Sequence, residues 1–407
     1  MAPRRAQGLV LQRHDHRGKA VLSFTLDDVS YLTSGEGVAA LAEVDALPLT
    51  DRVASAAAVR ARFGAHAPAL IETTLLRRRA ATKLPAADGW LFTDEALQQA
   101  TATPVARHRA RRLAGRAVHD ATCSIGTELA VLREVTTDLV GSDLDPVRLL
   151  MARHNLGPQV ALCRADALRP ITTEAVVVID PARRSGGARR FDPKAYTPGL
   201  DQVLQVYRDR DLVVKCAPGI DFAALAELGF VGEIEVTSLA GSVREACLWS
   251  RGLAQPGVSR RATVLDTGEQ LTDADPDECR SGPAGRWIVD PDGAVVRAGL
   301  VRQYAARHGL WQLDPDIAYL TGDTLPAGTR GFEVIDQLPF TEKKLRQVLS
   351  GLDCGALEIL VRGVGTDPDA LRRRLRLKGP RALSVVIARI GTGRASRAMA
   401  FVCRPSW

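Results

Sequence analysis

The stretch from Val118 to Asp145 constrains this chain more than any other. An apolar strand ends in Asp120, a turn reads Thr122-Cys123-Ser124-Ile125-Gly126, a helical segment follows, and a second strand closes on Asp143. In such a strand, loop, helix, strand unit, a nucleotide-like ligand over the first strand end meets main-chain N–H groups at the turn. Its ribose hydroxyls meet the carboxylate that ends the second strand. Two further acidic positions follow in order, Asp166-Ala167 after a third strand and Asp180-Pro181-Ala182-Arg183 after a fourth.

The alternation of strands and helices continues from 117 to about 252. Strands are expected at Ala117 to Asp120, Leu139 to Asp143, Val160 to Cys163, Ala175 to Asp180, Leu212 to Cys216, Glu233 to Ser238 and Ala246 to Ser250. The run Val176-Val177-Val178-Ile179 has no polar alternation, as in a parallel sheet covered on both faces. Only Leu239 to Glu245 separates the last two strands, which permits a hairpin and no crossover helix, so the final strand should be antiparallel. Before the sheet, the chain reads as a basic lead without order over its first 20 residues, a helical pattern from Ala39 to about Ala81, a second helical piece capped by Thr93, and another helix begun at Thr101-Ala102-Thr103-Pro104. After it, a Pro, Gly and Asp-rich stretch from Gln255 to Gly285 reads as a boundary. The last unit alternates strand, helix, strand, helix, strand from Phe332, with a possible closing strand at Met399 to Cys403. The expected divisions are therefore 1–98, a helical cap with its basic lead; 99–254, the Rossmann-like sheet; 255–329, a linker and small mixed α+β segment; and 330–407, a basic α+β domain.

Composition narrows the class. With 407 residues, 46% of them hydrophobic, the chain can build more than one core. No apolar run approaches the roughly 20 residues of a spanning helix, and Arg4 and Arg5 precede no apolar leader segment, so a cytoplasmic protein off the membrane is expected. Seven cysteines stand singly without a C-x-x-C pair, which signals neither a metal site nor a disulfide framework. From Arg330 to the end there are 15 Lys/Arg against 7 Asp/Glu, while the whole chain carries +7. The positive charge is thus concentrated in the terminal domain, which suits a polyanionic partner, RNA more readily than a membrane.

The turn, Asp143, Asp166 and Asp180-Pro181, in order at four strand ends, resemble a class I S-adenosylmethionine-dependent methyltransferase. The family's Gly-x-Gly-x-Gly is here Thr122, Ser124 and Gly126. From about residue 70 onward the chain is similar to bacterial methyltransferases with a C-terminal THUMP-like domain. That likeness rests on Asp180-Pro181-Ala182-Arg183-Arg184, Val214-Lys215 with Pro218, Gly299-Leu300, Leu313-Asp314-Pro315 with Ala318-Tyr319-Leu320, and Leu357-Glu358-Ile359 with Arg362-Gly363-Val364. The fold implied is a Rossmann-like seven-stranded methyltransferase sheet with a helical cap and a THUMP-like domain, and the cofactor implied is S-adenosylmethionine. The resemblance places Asp120, Thr122, Ser124 and Gly126 at the methionine part, Asp143 at the ribose, Asp166 at the adenine amino group, and Asp180 with Pro181 under the methyl group. Thr101 and Thr103 resemble a helix start that trimethylguanosine synthases set over the cofactor carboxylate, although both also serve as plain caps.

Two chemistries remain open. Methylating a nitrogen needs the acceptor lone pair held in line, which Asp180 could do by accepting an N–H. The alternative resembles RNA C5-pyrimidine methyltransferases, with Cys216 as nucleophile, activated by Lys215, and Glu245 removing the proton. Candidate RNA contacts are Arg183 and Arg184 beside the site, and Arg362, Arg372, Arg373, Arg374, Arg376 and Lys378, five of these six on one helix with Leu371 and Leu375 turned inward. His119 is expected to point away from the ligand. The favoured reading is an RNA base methyltransferase, nitrogen slightly ahead of C5, with no metal and no obligate protein partner. A non-catalytic RNA-binding scaffold and a protein or small-molecule methyltransferase are the alternatives.

Overall fold

The structure is a computed structural model that describes residues 13–14, 20–50, 52–84, 86–183 and 192–406. It divides into two compact units, Met1–Gly232 with Ala246–Leu253, and Glu233–Glu245 with Ala254–Trp407.

The first unit opens with helices. Of the basic lead, Arg13–His14 and Ala20–Val21 form a two-residue antiparallel ladder, and the rest lies outside the described residues. Helix α1 (Leu26–Leu32) starts at a reciprocal cap between Thr25 and Asp28, and α2 (Gly35–Asp45) at Ser34, which accepts from the Gly37 N–H. Gly37 is required there, because a Cβ would lie 1.9 Å from the Tyr31 carbonyl oxygen. The helical pattern expected over Ala39 to Ala81 takes the form of three helices, α2, α3 (Arg52–Phe63) and α4 (Ala67–Lys83). The chain breaks where Pro48 precedes a left-handed Leu49 and where Gly64 takes φ 55°. Helices α5 (Asp94–Gln99), capped by Thr93, and α6 (Thr103–Arg112) lie as expected. Val29, Leu32, Leu41, Val44, Leu70 and Leu76 are buried together in the helical core. Each such side chain contributes about 1.5–3 kcal/mol by leaving water.

The sheet of this unit has parallel strands β1 (Val118–Asp120), β2 (Leu139–Asp143), β3 (Ala161–Arg164), β4 (Val176–Ile179) and β5 (Leu212–Cys216), in the order β3-β2-β1-β4-β5. Helix α7 (Thr127–Leu132) crosses from β1 to β2, α8 (Pro146–Leu156) from β2 to β3, and α9 (Leu200–Val206) precedes β5. After α10 (Phe222–Glu227) come β6 (Gly232–Leu239) and β7 (Ser242–Ser250), joined by Ala240-Gly241. Both turn residues have positive φ, 53° and 66°, the twist that suits a two-residue hairpin. The end of β7 pairs antiparallel with β5, Ala246 opposite Cys216. Val118, Val176, Val178, Val213 and Trp249 form the core with Ala106, Ala110 and Leu113 of the α6 region.

In the second unit the expected boundary stretch contains two strands, β8 (Arg260–Val264), parallel to β6, and β9 (Glu269–Thr272), antiparallel to β8. They escape a hydropathy reading because β8 carries Arg261 inward, where Glu233 meets it at 2.7 Å. A seven-stranded sheet follows, built from β10 (Trp287–Val289), β11 (Trp311–Asp314), β12 (Ile317–Gly322), β13 (Gly331–Pro339), β14 (Cys354–Arg362), β15 (Arg381–Ile390) and β16 (Arg397–Pro405), in the order β11-β12-β10-β13-β16-β15-β14. Strands from the expected small segment and from the terminal domain thus share one sheet. Helices α11 (Gly293–Ala298) and α12 (Val301–His308) precede β11. Helices α13 (Glu342–Gly351) and α14 (Pro368–Leu375) bury Leu345, Leu349, Leu371 and Leu375 against the sheet residues Leu383, Val385 and Val402. Helix α14 ends at Leu375, short of the expected helical positions Arg376 and Lys378, because Arg376 already takes the left-handed conformation at φ 51°. Arg376 and Lys378 therefore stand beyond the helix.

Candidate functional site

At the carboxyl ends of the parallel strands the first unit encloses a cavity of about 360 Å³. Its wall holds Asp120, Thr122 and Ser124 from the turn after β1, Asp143 from β2, Asp166 after β3 and Asp180 after β4. Four acidic positions far apart in sequence thus converge, since parallel strands present their C-terminal ends on one edge.

Local hydrogen bonds fix each of them. Asp143 accepts the Ser124 N–H through Oδ2 and the Asp145 N–H through Oδ1, both at 2.9 Å, tying β2 to the turn after β1. Asp120 Oδ1 accepts the Thr122 N–H at 3.1 Å, and the Asp180 N–H donates to the Thr122 hydroxyl at 2.7 Å. Asp166 accepts the N–H of Leu168. Ser124 has φ 50°, the left-handed conformation for which glycine is usual, at the position where the resemblance expects a glycine. Gly126, at φ 90°, also leaves no room for a side chain, its Cβ position being 2.7 Å from Leu156 Cδ1.

Behind these groups lies a buried charge network. The Arg109 guanidinium grips Glu128 at 2.9 and 2.6 Å, and the Lys215 ammonium lies 2.6 Å from Asp180 Oδ2 and 3.6 Å from Glu128 Oε2. Burial pushes the Glu128 carboxyl up, but Arg109 and then Lys215 outweigh it and hold it below the ordinary carboxylate range. Asp120, 3% exposed, has one main-chain donor and no ion pair among the described residues. Burial, then Glu128, push its carboxyl up to about 8 against the partial relief of the Thr122 N–H and Lys215.

Several sequence candidates lie elsewhere. Pro181 is buried beside the cavity-lining residues Asp180 and Ala182. Cys216 closes β5 and is buried, Glu245 lies in β7, and neither lines the cavity. Alternation along a strand explains this, since Lys215 and Cys216 point to opposite faces and Lys215 is the one that lines the cavity. Thr101 and Thr103 do not line it either; the α5 terminus does, through Gln99 and Ala100, and Ala102 rather than Thr101 holds the cap position of α6. His119 faces Ser142 at 2.9 Å, and burial brings its ring down to about 4. Arg184 lies outside the described residues, as does the side chain of Arg183. In the second unit Arg362 meets Asp290 at 2.7 Å, Arg372 meets Asp369 at 2.5 Å, and Arg374 meets Glu342 at 2.6 Å. Arg373, Arg376 and Lys378 are exposed without an ion pair among the described residues.

The sequence reading passed over Arg109, Glu128, Leu144, Arg148, Gln202 and the Thr197-Pro198-Gly199 turn. The two-residue ladder of Ala182–Arg183 on Tyr196–Thr197 carries that turn to the cavity wall. An acid in the first turn of the helix after Gly126 was the signal for Glu128.

Two proteins from Mycobacterium tuberculosis strains CDC 1551 and H37Rv, both named uncharacterised S-adenosylmethionine-dependent methyltransferases, are 69% identical over 357 residues, 86% of this chain and 100% of theirs. The chain belongs to the S-adenosylmethionine-dependent methyltransferases. A crystal structure from Porphyromonas gingivalis W83, provisionally named a methyltransferase, matches the methyltransferase fold with a TM-score of 0.71 at 17% identity, over 94% of this chain and all of that one. Residues 329–405 match a THUMP domain-like family, and residues 25–80 a domain of unknown function (DUF8688). Among the described residues no helix is long and apolar enough to cross a membrane, and no group of three or more His, Cys, Asp or Glu could hold a metal.

The lining residues fit the chemistry of S-adenosylmethionine. Carboxylates suit a ligand with an ammonium, a sulfonium and a ribose diol, and Leu144, 58% exposed beside Asp143, offers an apolar surface for a base. The Ser124 hydroxyl is buried with no partner among the described residues, an orphan donor and acceptor in the cavity wall.

Proposed function

We propose that the cavity binds S-adenosylmethionine and that the methyl group goes to a nitrogen of an RNA base. Asp120 and the turn from Thr122 to Gly126 take the methionine end, Asp143 the ribose hydroxyls, and Asp166 the adenine amino group. The bound cofactor supplies an electrophilic methyl group. Asp180, with Pro181 at its back, accepts an N–H of the acceptor base and so aims the nitrogen lone pair, while Lys215, 2.6 Å away, holds the Asp180 carboxylate in place. The observation that carries the nitrogen route is Lys215 itself: its ammonium is committed to Asp180 and Glu128, and Cys216 does not line the cavity. A C5 route would need that thiol in the site.

RNA as the substrate rests on the THUMP domain-like match and on the cation excess of the terminal region. Arg373, Arg376 and Lys378 are the proposed phosphate contacts of α14 and its exit, with Arg183 and Arg184, which follow Ala182 in sequence, as further candidates. Arg362, Arg372 and Arg374, already paired, would have to exchange a carboxylate for a phosphate.

Transfer of label from methyl-labelled S-adenosylmethionine to total RNA and protein, taken from a host lacking this gene, tests the reading. Nuclease-sensitive label that survives Cys216→Ala and is lost in Asp180→Ala is expected. Protease-sensitive label, or loss with Cys216→Ala, would overturn it.

A further inference from the structure

The charges around the cavity do not balance. Arg109 is spent on Glu128 and Lys215 on Asp180, at 2.6 Å each. Asp120 is the remaining acid of this buried group, Asp143 and Asp166 being half-buried wall residues that accept main-chain N–H groups. It is buried at the end of β1, lines the cavity, and faces Glu128 from α7, Asp180 from the end of β4 and Lys215 from β5. Cys123 in the following turn and Arg109 behind Glu128 complete the ionisable surroundings, while His119, next to it on β1, turns away to Ser142 and Thr172. A lone buried carboxylate among other acids is costly unless a cation joins it or a proton neutralises it.

We propose that Asp120 carries a proton in the cofactor-free protein and releases it to solvent when the ammonium of the cofactor's methionine end enters the cavity. The step balances as a neutral carboxylic acid plus an ammonium giving a carboxylate–ammonium pair and one free proton. Cofactor capture and proton release are then one event, and affinity rises with pH. This rests on the cofactor placement proposed above. The direction agrees with the carboxyl of Asp120, which burial holds well above the ordinary carboxylate range.

Calorimetric titration of S-adenosylmethionine into the full-length protein at pH 6.5, in buffers of different ionisation enthalpy, counts the protons. About one proton released per cofactor is expected, with binding tightening about tenfold per pH unit from pH 6 to pH 7. Asp120→Asn, close in shape to the protonated acid and checked for folding by its thermal melt, should bind with no net release and no pH slope. S-Adenosylhomocysteine, which keeps the ammonium and lacks the sulfonium, should release the same proton. Saturable binding by the wild-type protein without proton release overturns the inference and leaves the cofactor site standing. Release with S-adenosylmethionine but not with S-adenosylhomocysteine overturns the assignment to the ammonium. Absence of binding by either ligand overturns both the inference and the reading beneath it.

Discussion

Arg109, Asp120, Glu128 and Lys215 around the cavity are each less than a tenth exposed, whereas Arg372, Arg373 and Arg374 on α14 stand in solvent. Both regions hold arginine against carboxylate at 2.6 Å, Arg109 on Glu128 in one and Arg374 on Glu342 in the other. The two pairs do different things. In the buried network water cannot substitute for a missing partner, so every charge is fixed by another and the one without a cation becomes chemically informative. On the exposed helix solvent screens each pair, and the arginines can trade a carboxylate for a phosphate at little cost.

The contrast breaks first at Glu128. Glu128→Leu leaves the Arg109 guanidinium buried without its carboxylate, and chemical denaturation should show a loss of about 3–5 kcal/mol. A loss under about 1 kcal/mol would mean that the network is not dry. Asp143→Ala should come next: it removes the acceptor for the Ser124 and Asp145 N–H groups. Cofactor affinity measured by calorimetry should drop roughly 10–100-fold.

Asp120→Asn sharpens the comparison through pH. The Asp120 carboxyl titrates near 8 when folded against 3.8 as a free group, so its stabilising contribution is present below pH 4 and lost as pH rises through 8. Asparagine does not titrate, so the variant should melt above the wild type at pH 8, by about a few degrees, with the gap shrinking toward pH 5. A gap independent of pH would place the carboxyl in water. The smallest structural effect belongs to the exposed side: reversing Arg373, Arg376 and Lys378 to Glu should leave the melting temperature and cofactor affinity unchanged while weakening RNA binding and flattening its salt dependence. Unchanged RNA binding would remove α14 and its exit from the interface.

The same contrast explains what could be read from the sequence. Asp120, Asp143, Asp166 and Asp180 were legible because each ends or closely follows a strand, and the strand run with its antiparallel close matches the structure to within a few residues. Arg109, Glu128 and the role of Lys215 were not, because a charge in a helix or strand reads as a solvated face unless its partner, distant in sequence, is known. Strand β8 was hidden for the same reason, Arg261 being buried against Glu233. The helix breaks at Leu49 and Gly64 were lost in an alanine-rich run whose hydropathy barely changes across them.

The central claim is that the strand-end cavity of the first unit is a ready-made cofactor site. A crystal structure with S-adenosylhomocysteine tests it most directly. The ribose should lie against Asp143 and the ammonium against Asp120, with Lys215 still on Asp180. Ligand bound elsewhere, or an empty cavity at saturating concentration, would contradict it.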